Sequence, residues 1–247
     1  MFEYADFSKF YDLLTEDVDY SARTDYLISL FDKFGSRPKL MLDLACGTGG
    51  FSLEFAKRGV EVIGVDMSPE MLSVAGEKAE KSNLDVLFLC QMAEELDLYG
   101  TVDGAVCCLD SLNHITDYRS FKKAISRVSL FLEKGKLFIF DLNTEFKQKE
   151  VLGNNTFVID NPPVYCVWQN AYDSKNKLSQ INLDFFAEEN GSYSRFNEEI
   201  IERIYTPEQV EKALKNANLE TLAVYEEMTT KKPGKKTQRL VYVTRRI

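Results

Sequence analysis

Brief apolar runs alternate with stretches of helical periodicity through most of the chain. Lys39 to Leu44, Val60 to Asp66, Val86 to Cys90, Gly104 to Leu109 and Lys136 to Asp141 are dominated by apolar residues and too short for helices. They predict strands buried on both faces. Between them, Phe121, Ala124, Ile125, Val128, Phe131 and Leu132 recur at i, i+3, i+4 and i+7, the pattern of a helix face laid on a sheet. Ser68-Pro69-Glu70 supplies an N-cap, a proline at the first helical position and an acid at the positive end of the helix dipole. The alternation predicts an α/β fold with a doubly wound, mostly parallel sheet.

Two segments break this rhythm. Phe7, Phe10, Tyr11 and Leu14, then Leu27, Leu30, Phe31 and Phe34, have helical spacing ahead of the first core strand. Residues 1–34 are therefore expected to form a helical lid over the sheet edge or its open mouth. Val164 to Tyr172, Leu178 to Phe186 and Tyr193 to Tyr205 are instead three β-like runs, the last two separated by an Asn190-Gly191 hairpin signal. They predict an antiparallel meander, so that residues 151–204 are an insert between core portions 35–150 and 205–247. Thr206-Pro207-Glu208-Gln209 reads as a capping box that reopens the core with a helix. Leu219 to Glu226 and Gln238 to Arg245 follow as an antiparallel pair expected at the end of the sheet.

A length of 247 residues suits one core with an insertion better than two domains. The 39 acids against 30 bases give a net charge of −9, which disfavours a nucleic-acid track. Lys231, Lys232, Lys235 and Lys236 cluster near the C-terminus, most simply as a solvated loop. No run is long enough to span a bilayer, and Met1 to Asp6 shows no secretion signal. The five cysteines are odd in number and lack metal-site spacing, and three of them lie in apolar strand-like runs. A strand would point the vicinal Cys107 and Cys108 to opposite faces, against a disulfide between them. With His114 the single histidine, no structural zinc site is expected. The expected location is the cytoplasm.

Candidate chemistry sits where strands end. Gly47 and Gly49 follow the first strand in Asp43-Leu44-Ala45-Cys46-Gly47-Thr48-Gly49-Gly50 and precede a helix. Glycines there allow positive φ and close approach of backbone N–H groups to a ligand, although such loops often only turn a strand into a helix. Asp66 ends the second strand, where a carboxylate can accept both ribose hydroxyls. Ser52 occupies the position of the third glycine of a dinucleotide fingerprint, and Asp43 would repel a pyrophosphate at the loop. An acid there suits a ligand with an ammonium and a sulfonium.

These residues, with Val65-Asp66-Met67-Ser68-Pro69-Glu70-Met71-Leu72 and Asp103 to His114, resemble the class I S-adenosylmethionine-dependent methyltransferases over residues 39–145 and again over 205–247. Tyr11-Asp12-Leu13-Leu14 is similar to the opening of many small bacterial members. The resemblance implies a seven-stranded sheet with an antiparallel last strand and S-adenosyl-L-methionine as cofactor. It implies Gly47 and Gly49 along the methionine part, Asp43 near its ammonium, Asp66 on the ribose and Met67 beside the adenine. Ala45, Cys46, Met71, Gln91, Met92, Ala93 and Leu109 complete the expected cofactor contacts, with Met92 standing where many members carry an acid. Asp110 and Tyr11 are the candidate proton acceptors or orienters; helix capping is the plainer reading of Asp110-Ser111, and a plain loop residue that of His114. Tyr4, Phe7, Tyr11 and Tyr20 are candidate lid residues. Trp168, Tyr165, Tyr193 and Arg195 either form the insert's core or face the substrate.

The expected activity is methyl transfer to an O, N or C nucleophile of a small-molecule acceptor. The lid and insert narrow access to the crevice, while the meander equally offers a docking surface for a protein or partner subunit. A non-catalytic S-adenosylmethionine-binding module and an NAD-dependent oxidoreductase are the alternatives. Asp43, Ser52 and the final strand pair speak against the latter.

Overall fold

The computed structural model describes residues 5–189 and 191–247. Two helices, α1 (Ala5–Leu14) and α2 (Tyr20–Lys33), precede an alternating series: β1 (Leu40–Leu44), α3 (Gly50–Lys57), β2 (Glu61–Asp66), α4 (Pro69–Lys81), β3 (Leu87–Cys90), β4 (Val102–Cys107), α5 (Tyr118–Phe131) and β5 (Leu132–Asn143). Four strands follow, β6 (Thr156–Asn161), β7 (Val164–Asp173), β8 (Leu178–Glu189) and β9 (Ser192–Arg203). The chain then returns through α6 (Pro207–Asn216), β10 (Leu219–Glu226) and β11 (Arg239–Arg246). The expected caps form: the Ser68 hydroxyl accepts from Met71 N, and Thr206 and Gln209 make the reciprocal capping box.

The core is a seven-stranded sheet of order β10-β11-β5-β4-β1-β2-β3. Only β11 runs against its neighbours, pairing antiparallel with both β5 and β10. The last two strands pair at the sheet's end as expected, with β11 between β5 and the edge strand β10. Alternation along the strands divides the core into two layers. Leu42, Leu44, Phe138, Phe140 and Tyr242 face α5 and α6, whereas Met41, Leu137, Ile139, Val241 and Val243 face α2 and α3. Cys107 and Cys108 fall on opposite layers as expected, and all five cysteines are free. Cys90, however, is exposed.

The insert holds four strands, not three. Thr156–Asn161 pairs with β7, and its short, half-exposed run ending at Pro162-Pro163 carries little periodic signal. The strands form a separate antiparallel sheet of order β6-β7-β8-β9, with β8 and β9 paired as far as Glu189 and Ser192. Val164, Cys166, Ile181, Leu183, Phe185 and Ala187 make its buried face. Against that face lie Phe10, Tyr11, Leu13 and Leu14 of α1 and Met71 of α4. Phe10 stacks on Phe196 with ring centroids 5.6 Å apart. Helix α1 is thus held between the second sheet and the core. The lysine-bearing residues 231–236 are an exposed loop.

Candidate functional site

Strand order reverses between β1 and β4, so a crevice opens at their carboxyl ends. The turn after β1 is built for tight curvature: Ala45, Gly47 and Gly49 have φ of 57°, 53° and 78°. A Cβ on Gly47 would meet nothing within 4 Å, so this residue offers bare backbone to open space. A Cβ on Gly49 would lie 3.0 Å from the Ala75 Cβ, so Gly49 also secures close packing of the loop on α4. Cys46 is buried in the turn.

The Asp66 carboxylate receives Gly47 N at 2.8 Å and Ser68 N at 2.9 Å, linking the loop to the end of β2. Each oxygen retains a lone pair for a further donor. Burial raises the Asp66 pKa despite these bonds. Asp43 is fully buried on the α3 side of β1 and accepts the Ser52 hydroxyl at 2.6 Å. That bond gives a physical reason for serine, not glycine, at position 52. Burial, aided by the Asp66 charge, pushes the Asp43 carboxyl up to about 7. Met67 and Met92, after β2 and β3, are 57% and 46% exposed, an unusual placement for apolar side chains. Ala93 opens the short turn beyond Met92. Gln91 uses its amide to brace the backbone of Asp97. Met71 points instead into the apolar layer beneath the second sheet.

At the end of β4 the backbone is strained: Leu109 and Asp110 both have φ of 54°. Their N–H groups are clamped by one carboxylate, Asp141, at 2.9 and 2.6 Å. Arg239 at the start of β11 reaches Asp141 at 2.7 Å, Asp110 at 2.5 Å and Glu227 at 3.1 Å. Burial favours neutral Asp110, but Arg239 and Lys147 hold its pKa below the usual carboxylate value. Ser111 caps its own turn by donating to Cys108 O, and buried Asn113 bridges Arg203 O and Asn143 N. Asp110 precedes this turn without a side-chain capping bond.

Tyr11 and Tyr20 come together beside the glycine loop. Their hydroxyls are hydrogen-bonded, and burial raises both pKa values, with the Asp110 charge adding to the shift of Tyr11. The Tyr20 ring lies so near Gly50 that a Cβ there would collide with it. Asp12 fastens α1 to the glycine loop through Thr48 (2.6 Å) and to α4 through Lys78 (2.8 Å). Tyr4 and the Phe7 side chain lie outside the described residues.

The insert also reaches the crevice. Glu202, near the end of β9, is 4% exposed and accepts from Gln148 (2.5 Å) and Asn143 (3.1 Å). Burial and the hydrogen-bonded Asp110 push its carboxyl up to about 8. His114 Nε2 lies 4.0 Å from Glu202, and its side chain is part-exposed. Among the described residues, Asp110, His114 and Glu202 bring ligand-type atoms within 4.8 Å of one another. Of the aromatic candidates on the insert, Trp168 joins its buried layer, whereas Tyr165 and Tyr193 are exposed and Arg195 sits over Phe186.

Asp141, Arg239 and Glu202 escaped the sequence reading. Arg239 lies 98 positions from Asp141, and Glu202 is similarly remote from Asp110, so no local spacing connects them. The available signal was a charged residue within an otherwise apolar or alternating run.

Residues 41–135 match a methyltransferase domain family model. A putative methyltransferase of Bacillus subtilis (strain 168), YqeM, is 32% identical over 241 residues, 97% of this chain and 95% of that protein. The crystal structure of an S-adenosylmethionine-dependent methyltransferase from Clostridium acetobutylicum ATCC 824 is 36% identical, covers 98% of both chains and has a TM-score of 0.89. The amino pentose methyltransferase CalS10 of Micromonospora echinaspora shares the fold at 18% identity, with a TM-score of 0.75 over 93% of this chain and 92% of that one.

Proposed function

Because the chain belongs to the class I S-adenosylmethionine-dependent methyltransferases, we propose that it methylates an O, N or C nucleophile of a small-molecule acceptor. The observation that carries the small-molecule reading is the enclosure of the Asp110 rim. Tyr11, hydrogen-bonded to Tyr20, comes near Asp110 from the N-terminal helices, and Glu202 reaches it from the second sheet. A polymer would need both to move away.

The residues present fit the cofactor. Gly47 offers an unobstructed backbone, Asp66 has lone pairs for two ribose hydroxyls, and the buried Asp43 carboxyl needs a cation beside it to ionise readily. Bound S-adenosylmethionine supplies an activated methyl on a sulfonium leaving group. Gly47, Gly49, Ala45 and Cys46 form the wall along its methionine part, while Met67 and Met92 are the apolar edges for its adenine. Leu109 and Asp110 border the methyl, held there by Asp141 and Arg239. The protein's work is mainly to align two partners and exclude water. In our reading, residues 1–34 act as the lid, 35–150 with 205–247 as the catalytic core, and 151–204 as the acceptor-side insert. A reducing compartment, the cytoplasm, suits five unpaired cysteines.

A cell extract split by ultrafiltration and supplied with methyl-tritiated S-adenosylmethionine tests the acceptor size. Enzyme-dependent label in the small-molecule fraction is expected. Label confined to the retained protein or nucleic acid would overturn the reading.

A further inference from the structure

The antiparallel sheet of the insert packs on α1 and α4 with one face only. Val164, Cys166, Ile181 and Phe185 belong to that face, so alternation turns Tyr165 and Phe186 outward. Asp160, Glu188 and Tyr193 share the outer face with them through the same pairings. Together these five residues line an open hollow of about 460 Å³ beside the turn at Pro162-Pro163. The hollow is at the far end of the sheet from the Asp110 rim. Tyr193 precedes Glu202 by nine residues along β9, about 30 Å of extended strand.

The walls are fixed by the sheet. Strands β7, β8 and β9 pair without a shift of register, and Glu188 N donates to Pro163 O at 2.8 Å, holding the β6–β7 turn against β8. Tyr165 and Phe186 meet edge to face, with centroids 6.4 Å apart and planes at 63°, so two rings form a corner. Tyr193 adds a third ring, and its hydroxyl donates to Glu188 at 3.4 Å. Tyr165 and Tyr193 are 38% and 64% exposed, which packing of the sheet does not explain.

Ring faces carry negative potential, and a cation within about 6 Å of two centroids is attracted by both. The rim strengthens that preference. Asp160 has no hydrogen-bond or ion-pair partner among the described residues, and the Glu188 side chain has only the Tyr193 hydroxyl. Arg195 stands over Phe186 at 5.8 Å, but Asp184 holds it at 2.7 Å and it does not line the hollow. Two carboxylates without a cation repel an anion and favour a positive charge. A hard metal ion would gain nothing from the rings, whereas a substituted ammonium uses rings and carboxylates together.

We propose that the outer face of the insert is a second binding site, separate from the crevice, for a small organic ammonium ion. Its substituted head sits in the corner of Tyr165 and Phe186 and is closed in by Tyr193. Asp160 and Glu188 supply the counter-charge. Binding there is non-covalent and does not depend on the methyl-transfer reading.

Isothermal titration calorimetry with choline tests the site, against its uncharged carbon isostere 3,3-dimethylbutan-1-ol. Choline should bind saturably, with a dissociation constant in the millimolar range or below, and the isostere at least tenfold more weakly. Tyr165→Leu, and Asp160→Asn combined with Glu188→Gln, should each weaken choline binding at least fivefold. The replaced side chains are exposed, so both variants should keep the wild-type circular dichroism and Tm. Excess S-adenosylhomocysteine should leave choline affinity unchanged. No saturation by choline, equal binding of the isostere, or indifference to the substitutions would overturn the site. Competition by S-adenosylhomocysteine would overturn it by placing the cation in the crevice. Sedimentation of the wild type as a dimer that Tyr165→Asp dissociates would overturn it in favour of a contact between copies.

Discussion

Replacing Asp43 with asparagine removes a buried charge at nearly constant shape, and its effect on stability has a calculable pH signature. The native carboxyl is pushed up to about 7 from an ordinary value of 3.8 by burial. A raised native pKa means that the folded state holds the proton more tightly than the unfolded state. The resulting stabilisation is complete below the unfolded pKa and is lost as pH rises through 7. The full difference is about 4 kcal/mol, and the share lost between pH 5 and pH 8 is about 2–3 kcal/mol. The amide of the variant has no such titration, acids remote from Asp43 titrate alike in both proteins and cancel, and relief of the Asp43 charge eases ionisation of Asp66 in the same direction. Urea unfolding followed by far-ultraviolet circular dichroism, without ligand, measures the difference; fluorescence would report the single tryptophan, Trp168, in the insert. The advantage of Asp43→Asn over wild type should grow by about 2–3 kcal/mol from pH 5 to pH 8. A difference that is flat, or that shrinks, would refute the buried, proton-retaining carboxyl. The absolute offset is less informative, because the new amide hydrogens need partners of their own.

The same group governs cofactor affinity if the ammonium meets the ionised form. Falling from half ionised at pH 7 to about a tenth at pH 6 should weaken S-adenosylmethionine binding about fivefold, with no such change in Asp43→Asn, by calorimetry at both pH values. Arg239→Gln leaves Asp110 and Asp141 buried without their cation and should destabilise the fold by about 3–5 kcal/mol in urea unfolding. An effect under about 1 kcal/mol would show that the clamp on Leu109 and Asp110 does not depend on that arginine. Gly50→Ala drives a Cβ into the Tyr20 ring and should lower stability by about 1–3 kcal/mol; Tyr20→Ala combined with it should remove most of the additional loss.

Strands β1, β2, β4 and β5 were legible because a sheet covered on both sides imposes nearly continuous apolar runs, and no competing pattern imitates them at that length; β3 was legible as a short apolar run although it is a half-exposed edge. The glycine turn and Asp66 were legible because strand, turn and acid are close in sequence. Strand β6 was not: Thr156 to Asn161 is short, half-exposed and followed by two prolines, so neither alternation nor length announces it. The position of β11 between β5 and β10 depends on pairing with residues about a hundred positions away, such as Val243 with Ile139. The cluster around Asp110 was hidden for the same reason. Asp141 and Arg239 read as ends of apolar runs, and Glu202 as one acid among Glu198, Glu199 and Glu202, until folding brings them to Asp110. The burial of Met71 was equally hidden, because it is set by a second sheet formed about a hundred residues later.

The central claim is tested most directly by isothermal titration calorimetry of S-adenosylmethionine, S-adenosylhomocysteine and NAD against wild type and Asp66→Ala. The first two ligands should bind saturably, NAD should not, and the substitution should weaken binding by about 1.5–3 kcal/mol, tenfold or more. Preference for NAD, or affinity indifferent to Asp66→Ala, would contradict the account.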